Sequence, residues 1–362
     1  MRLFGGRHFD WTLFFSIIAL LSIGILLVAS ATSGSRNKDL TTRQAMWMGI
    51  GILAMVGMYA LDYRVLLKFS FVIYLVSLAP LAYLLVFGHR IAHVRSWIRV
   101  GNFQFQPAEI TKLAAALLMA YLFENEEEAR LRPAAFAKLF AIVLVPFVMV
   151  FLQPDLGLAL TFLPLLVIGM YFGSLPWRWW AALALVLVMG AGAGWFFLKD
   201  YQKQRITTFL QPETDLKGAG YQLRQSKIAV GSGGLFGKGF RKGTQSQLRF
   251  LPVRHTDFIF AVLAEEFGFV GVLMVLSLYA AVVLRSLRLA SHARDRGGAF
   301  LVLGLIACFG FSVIINMGMM IGVFPTTGIP LPLLSYGGSS VATTLTAMGL
   351  VLSVEARRFA NV

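Results

Sequence analysis

The sequence predicts an all-α integral membrane protein with ten transmembrane helices and one long extracytoplasmic loop. Three observations carry that expectation. Of 362 residues, 58% are hydrophobic and only 14% are Asp, Glu, Lys or Arg, with a mean hydropathy of +0.74. Soluble domains run near one quarter charged, so this chain is short of polar surface to turn to water. Apolar stretches of roughly 20 residues, the length that crosses a bilayer, recur along it. One polar stretch, residues 199–257, interrupts them. A secreted or cytosolic enzyme does not fit this pattern.

The expected spans lie near 11–31, 44–61, 66–87, 107–123, 136–153, 156–172, 177–198, 258–284, 298–323 and 339–356. The break between the fifth and sixth rests on Gln153-Pro154-Asp155-Leu156-Gly157. Pro removes a backbone donor and Asp is expensive in hydrocarbon, so a turn belongs there. The first span resembles a signal peptide in having Arg2 and Arg7 ahead of it and Ala29-Ser30-Ala31 behind. Its apolar run of about 20 residues exceeds the usual ~7–15 of a signal segment, so it reads as an uncleaved helix. No internal repeat or soluble domain stands out, and residues 1–362 read as a single membrane domain.

Lys and Arg in short loops set orientation. With the N-terminus in the cytoplasm, the inner side holds fourteen: Arg2, Arg7, Arg64, Lys68, Arg130, Arg132, Lys138, Arg178, Arg285, Arg288, Arg294, Arg296, Arg357 and Arg358. The short outer loops hold six: Arg36, Lys38, Arg43, Arg90, Arg95 and Arg99. Both termini are therefore expected inside. The 199–257 loop falls outside, with eleven basic residues against Asp200, Glu213, Asp215 and Asp257, a net +7. That excess points to an anionic contact, either a substrate or the surface of anionic lipid. The overall charge of +15 is read the same way: lipid head groups and phosphate-bearing substrates, not nucleic acid. The single Cys308 cannot form an intrachain disulfide.

Several residues carry candidate chemistry. Glu109 and Lys112 follow Pro107 at the start of the fourth span, and their i, i+3 spacing puts both on one helix face. An ionisable pair inside a span is a functional candidate; a structural ion pair or a lysine reaching for the interface is the plainer reading. Asp257 enters the eighth span from the long loop, where it can serve as a general base on a hydroxyl or merely cap the helix. Desolvation raises the pKa of such a carboxyl and nearby cations lower it, so sequence alone leaves the direction open. Residues 257, 261 and 265 share a face, which sets Glu265 about 12 Å below Asp257 at 1.5 Å per residue. Glu265 reads equally as cavity-lining or as a buried structural group.

The run Gly231 to Gly243 is glycine-rich and basic, so its N–H groups can cradle phosphate, although a flexible loop explains it as well. The stretch FPTTGIPLPLLSYGGSS, 324–340, places three prolines and three glycines between two spans. Non-helical backbone at that depth must be buried in protein or line a cavity. It reads as a re-entrant segment of a site, or else as a tight hairpin outside. Met317, Met319 and Met320 read as packing residues.

QPAEITKL (106–113), QPDLG (153–157), GYQLRQSKIAVGSGGLFGKG (220–239), HTDFIFAVLAEEFGFVG (255–271) and GIPLPLLSYGGSS (328–340) resemble the signature segments of the SEDS family, the shape, elongation, division and sporulation proteins of bacteria. The resemblance runs over essentially the whole chain, and GTQSQLRFLPVRHTDF (243–258) looks more like the rod-shape branch than the division branch. It implies the SEDS fold and a peptidoglycan glycosyltransferase that polymerises lipid II on the outer face of the bacterial cytoplasmic membrane. The family's catalytic carboxylate matches Asp257, and its functional Glu/Lys pair matches Glu109 and Lys112.

On that resemblance Asp257 takes a proton from the acceptor 4-hydroxyl, and Lys112 with loop arginines steadies the departing undecaprenyl pyrophosphate. The expected substrate-binding set is Lys112, Glu109, Arg43, Arg205, Lys238, His255 and Ser339, with Asp155 and Glu265 structural or lining the cavity. Apolar grooves between helices are expected to hold the polyprenyl tails. A divalent cation, Mg²⁺ or Mn²⁺, at the pyrophosphate stays open, since no carboxylate cluster demands one.

The implied partner is a class B penicillin-binding protein. This chain has no Ser-x-x-Lys motif in an external domain to crosslink glycan itself. Its membrane helix is expected against the eighth and ninth spans. Arg249 and Val253 stand where relatives often carry Glu, and Ser96 where many carry Arg. A lipid II transporter and a non-catalytic scaffold for the transpeptidase remain alternative readings of the same residues.

Overall fold

The computed structural model describes residues 9–33, 39–88, 94–101, 103–126, 133–211, 218–248, 250–251 and 254–358. Arg2, Arg7, Arg36, Lys38, Arg90, Arg130, Arg132, Glu213, Asp215, Lys217, Arg249 and Val253, used in the sequence reading, lie outside them.

The helices run in the order α1 (Trp11–Ala31), α2 (Asp39–Ala60), α3 (Tyr63–Lys68) and α4 (Ser70–Phe87), then a hairpin of β1 (Ile98–Val100) and β2 (Phe103–Phe105). There follow α5 (Pro107–Asn125), α6 (Pro133–Leu152), α7 (Leu156–Leu160), α8 (Leu163–Phe172) and α9 (Trp177–Phe197). The long polar stretch holds α10 (Asp200–Leu210), α11 (Ala219–Ser232) and α12 (Thr244–Gln247). The chain closes with α13 (Ile259–Ser291), α14 (Arg296–Ile321) and α15 (Gly338–Ala356).

Among the described residues, six helices are long and apolar enough to cross a membrane: α1, α4, most of α6, α13, α14 and α15. The other four expected spans coincide with α2, α5, α7 with α8, and α9. Residues 156–172 are two helices and not one. The Thr161 hydroxyl donates to Leu158 O at 2.6 Å and closes α7, and Pro164 opens α8. The β1–β2 hairpin, which turns at Gly101 with φ +59°, was not foreseen. Asp10, Asp62, Asp155 and Asp295 each cap a helix N-terminus through a backbone N–H.

Two polar levels set the depth of the bundle. At one, the Arg285 guanidinium meets the Asp10 carboxylate at 2.7 Å. At the other, the Ser30 hydroxyl donates to Glu266 at 2.5 Å. Twenty residues separate Asp10 from Ser30 on α1, and nineteen separate Glu266 from Arg285 on α13. At 1.5 Å per residue both give about 30 Å, the thickness of a hydrocarbon core. With 33 residues, α13 is longer than that, and it is interrupted at Gly268, two residues past Glu266.

The glycine-rich run lies against α13 at that level. Gly268 breaks the helix with φ +65°. Instead of pairing within the helix, Phe269 and Val270 donate their N–H groups to Gly234 O and Leu235 O at 2.9 and 3.0 Å. The released carbonyls of Glu265 and Glu266 accept from Lys238 and Gly239 at 3.0 and 2.9 Å. Two helix bonds are thus replaced by four bonds to a loop. Gly237, with φ +78°, has no room for a Cβ against the Glu266 backbone. The N–H groups of Gly237, Lys238 and Gly239 are therefore occupied and do not serve as a phosphate cradle.

Residues 324–340 dip into the bundle from the same level. Gly24 of α1, six residues and about 9 Å below Ser30, packs its bare Cα against the backbone of Leu333 and Leu334. Leu331, Leu333 and Leu334 are buried. The segment's carbonyls find donors at that depth: Tyr279 Oη on Pro332 O (2.5 Å), Asn316 Nδ2 on Ile329 O (2.8 Å) and Arg205 Nη1 on Thr326 O (3.2 Å). Satisfied backbone is what permits an irregular segment below the surface.

Candidate active site

Asp257 sits where the polar stretch meets α13, and three successive carbonyls fix it. His255 O accepts from the Tyr336 N–H at 2.8 Å, Thr256 O from the Ser335 hydroxyl at 2.6 Å, and Asp257 O from Asn316 Nδ2 at 3.0 Å. The re-entrant segment and α14 therefore hold the backbone and leave the carboxylate free to face a chamber of about 240 Å³. Asp155, Arg205, Glu109, Gln106, Trp97 and Ser340 line the same chamber. Gly328, with φ +77°, forms its near wall. A Cβ there would stand 3.7 Å from Asp257 Oδ2 and 3.9 Å from Arg205 Nη1, so one glycine borders both groups.

Burial pushes the Asp257 carboxyl up to about 6, against the pull of the Arg205 guanidinium; neighbouring Asp155 adds to the rise. This supplies the direction that sequence left open. Asp155 is raised as well, again by burial, while the Ser96 hydroxyl at 2.8 Å and the Leu158 N–H at 3.1 Å hold it back. Ser96 thereby orients Asp155.

The Lys112 ammonium pairs with Glu109 at 3.1 Å on the first turns of α5. Glu109 borders both the Asp257 chamber and a small deeper cavity of about 40 Å³, where Lys112 lies beside Cys308, Ser312 and Thr343. On the other side, a cavity of about 450 Å³ holds Arg43, Trp47, Trp97 and Tyr336. Trp47 also opens an apolar groove of about 300 Å³ between α2, α5 and α15. Gly337 and Gly338, at the N-terminus of α15, face this set of cavities with the positive end of a helix.

Other expected site residues lie elsewhere. Lys238 forms an ion pair with Glu265 at 2.8 Å, remote from the lining of the Asp257 chamber. Glu265 is not cavity-lining: it is fully buried and accepts the N–H groups of Gln245 and Ser246 at the head of α12, at 2.8 and 3.0 Å. His255 packs its ring on Tyr336 at 5.7 Å and is not among the chamber's lining residues; burial and adjacent Arg254 hold its pKa below the ordinary value. Ser339 is buried along the apolar groove, and its neighbour Ser340 faces the Asp257 chamber instead.

Asn316, Gly328, Trp97, Tyr336 and Ser340 escaped the sequence reading. Gly328, Tyr336 and Ser340 lie in the 324–340 segment that the sequence marks without singling them out, and Asn316 stands as a lone amide in an otherwise apolar span. Among the described residues, no three His, Cys, Asp or Glu side chains gather to hold a metal ion.

Membrane-length helices around a charged chamber define a multi-pass membrane protein. The chain belongs to the FtsW, RodA and SpoVE family of cell cycle proteins, whose pattern its residues 10–359 match. Over 353 residues it is 36% identical to the peptidoglycan glycosyltransferase MrdB of Escherichia coli K12, spanning 97% of this chain and 94% of that one. It is 33% identical to the peptidoglycan glycosyltransferase RodA of Treponema pallidum, spanning 99% and 100%. In structure it superposes with TM-score 0.82 on a chain of a peptidoglycan synthase complex that coordinates polymerization and crosslinking, 34% identical and covering 98% of this chain and all of that one.

Proposed function

We propose that the chain is a peptidoglycan glycosyltransferase that polymerises lipid II, with Asp257 as general base. The observation that carries this is the Asp257 carboxyl, raised to about 6, beside the Arg205 guanidinium in a chamber that shares lining residues with the Arg43 cavity, whose Trp47 also lines an apolar groove. A base with that pKa is largely ionised at neutral pH and still strong enough to take a proton. The acceptor's 4-hydroxyl gives its proton to Asp257 as its oxygen bonds the donor's anomeric carbon. The bond from that carbon to pyrophosphate breaks, and the leaving group carries the electron pair away.

Arg205, bordering the same Gly328 wall, meets that charge. A pyrophosphate leaves without being protonated, so a second carboxylic acid is not required, unlike in a glycosidase. Lys112 holds Glu109 on the chamber floor. The polyprenyl tail follows the groove below Trp47.

In this reading the protein is a multi-pass protein of the bacterial inner membrane, with ten spans and both termini inside. The Ser30 level and the 199–257 stretch then face outward. The partner is a class B penicillin-binding protein, whose membrane helix lies on the exposed apolar face of α13 that includes Phe269, Val270 and Leu273. The RodA and MrdB relatives favour a role in cell elongation.

The test is a gel assay of the full chain with its transpeptidase and labelled lipid II, with and without Mg²⁺ or Mn²⁺. Wild type is expected to make a glycan ladder that Asp257→Ala abolishes while still binding lipid II. Binding without a ladder under every condition would sink the reading and favour transport or scaffolding.

A further inference from the structure

The 450 Å³ cavity of Arg43, Trp47, Trp97 and Tyr336 has no part in the mechanism so far. It shares Trp97, Thr256, Tyr336 and Gly337 with the Asp257 chamber, so the two spaces meet at a common wall. Its volume lies within the range of small-ligand sites. Three aromatic rings line it, and two of them are braced. Gly338 lets the Trp47 indole lie against the first turn of α15, where a Cβ would overlap the ring. Tyr336 is held by His255 through both its ring and its N–H. Rigid aromatic faces suit the C–H faces of a sugar ring, and a polar tip on each supplies hydrogen bonds to hydroxyls.

The cations divide between the two spaces. Arg205 borders Asp257, which suits a pyrophosphate that departs from the reacting carbon. Arg43 lies in the neighbouring cavity with the N-terminus of α15, which suits a pyrophosphate that stays intact. Trp47 joins that cavity to the apolar groove. A lipid-linked sugar seated there has its chain in the groove, its pyrophosphate at Arg43 and its free end at the common wall. We infer that the Trp47–Trp97–Tyr336 cavity is the saccharide subsite for the acceptor, separate from the chamber in which the donor's bond breaks. The inference rests on the glycosyltransferase reading and adds which substrate each space takes.

The two substrates can be told apart with lipid II whose terminal 4-position is blocked, which acts only as donor. The full chain with its transpeptidase is given blocked lipid II at saturation, and ordinary lipid II is varied as acceptor. Formation of the blocked-end product is followed by gel. Trp47→Ala, which removes a ring that does not line the Asp257 chamber, is expected to raise the half-saturating acceptor concentration about 10-fold, with the rate at saturation within about 3-fold of wild type and the donor's half-saturation unchanged. Trp47→Phe, which keeps an aromatic face, is expected to restore the acceptor value to within about 3-fold; this separates stacking from a failure to fold.

An unchanged acceptor dependence in Trp47→Ala would overturn the assignment. So would a shift confined to the donor. Failure of wild type to form any product while binding lipid II would instead bring down the glycosyltransferase reading, and this inference with it.

Discussion

Asn316 holds Asp257 by its backbone and not by its carboxylate. One amide nitrogen on α14 donates to Asp257 O at 3.0 Å and to Ile329 O at 2.8 Å, tying the start of α13 to the re-entrant segment. Asn316→Ala orphans two buried carbonyls, at about 1–3 kcal/mol for each unsatisfied group. The expected result is a fall in kcat of at least about 10-fold with KM for lipid II changed far less, because the carboxylate loses its aim and the cavities keep their walls. Steady-state kinetics on Asn316→Ala and Asn316→Gln check this. An equal rise in KM would place the residue in binding.

The raised Asp257 carboxyl predicts a pH limb. With a value of about 6, kcat/KM should climb about 10-fold per pH unit below it and level off above. Arg205 favours the ionised form, so Arg205→Met removes a lowering influence and should shift the limb to higher pH. A pH–rate profile of both proteins decides it; a limb that moves to lower pH in the variant would contradict the electrostatic assignment.

Gly328 tests whether open space beside the carboxylate matters. Alanine there must adopt φ +77° and projects a methyl toward Asp257 and Arg205. Backbone strain costs on the order of 1–3 kcal/mol. The expected outcome is a fall in kcat/KM of about 100-fold or more with the protein still folded, read by polymerisation and thermal unfolding together. Retention of full activity would mean that substrate does not pass this wall.

Lys238 and Glu265 make a structural pair, so their loss should register as stability. Lys238→Met leaves a buried carboxylate without its cation, which costs about 1–3 kcal/mol at this partly exposed partner. Thermal unfolding in detergent is expected to fall while KM for lipid II stays within about 2-fold of wild type. A large KM change at constant stability would return Lys238 to the substrate.

The parts of the site that could be read from sequence are those where charge sits at the edge of a span. Asp257, Asp155, Arg205 and Glu109 all border one chamber, and Arg43 lies in the adjoining one. Each breaks an apolar run or crowds a basic loop, which is visible without knowing the fold. Ser339 illustrates the opposite. Its neighbour Ser340 faces the chamber because a step of one residue turns a helix by about 100°, and the phase of α15 depends on where its first turn begins. The glycine run was misread for a related reason: whether its N–H groups are open depends on carbonyls of α13 that lie almost thirty residues away. Long-range pairing of that kind has no local periodicity to betray it.

The bonds at Gly268 have a bearing on how the chain is made. A helix normally closes its ladder from within, using residues that leave the ribosome together. Here Phe269 and Val270 find acceptors only in Gly234 and Leu235, synthesised earlier. By the time α13 emerges, those acceptors must already be waiting at the membrane surface. The turns of α13 around Gly268, which follow the Asp257 segment, are therefore completed by two separately delivered pieces. A single cut between Gly234 and Gly237 would unfasten α13 at its Gly268 break, two residues past Glu266.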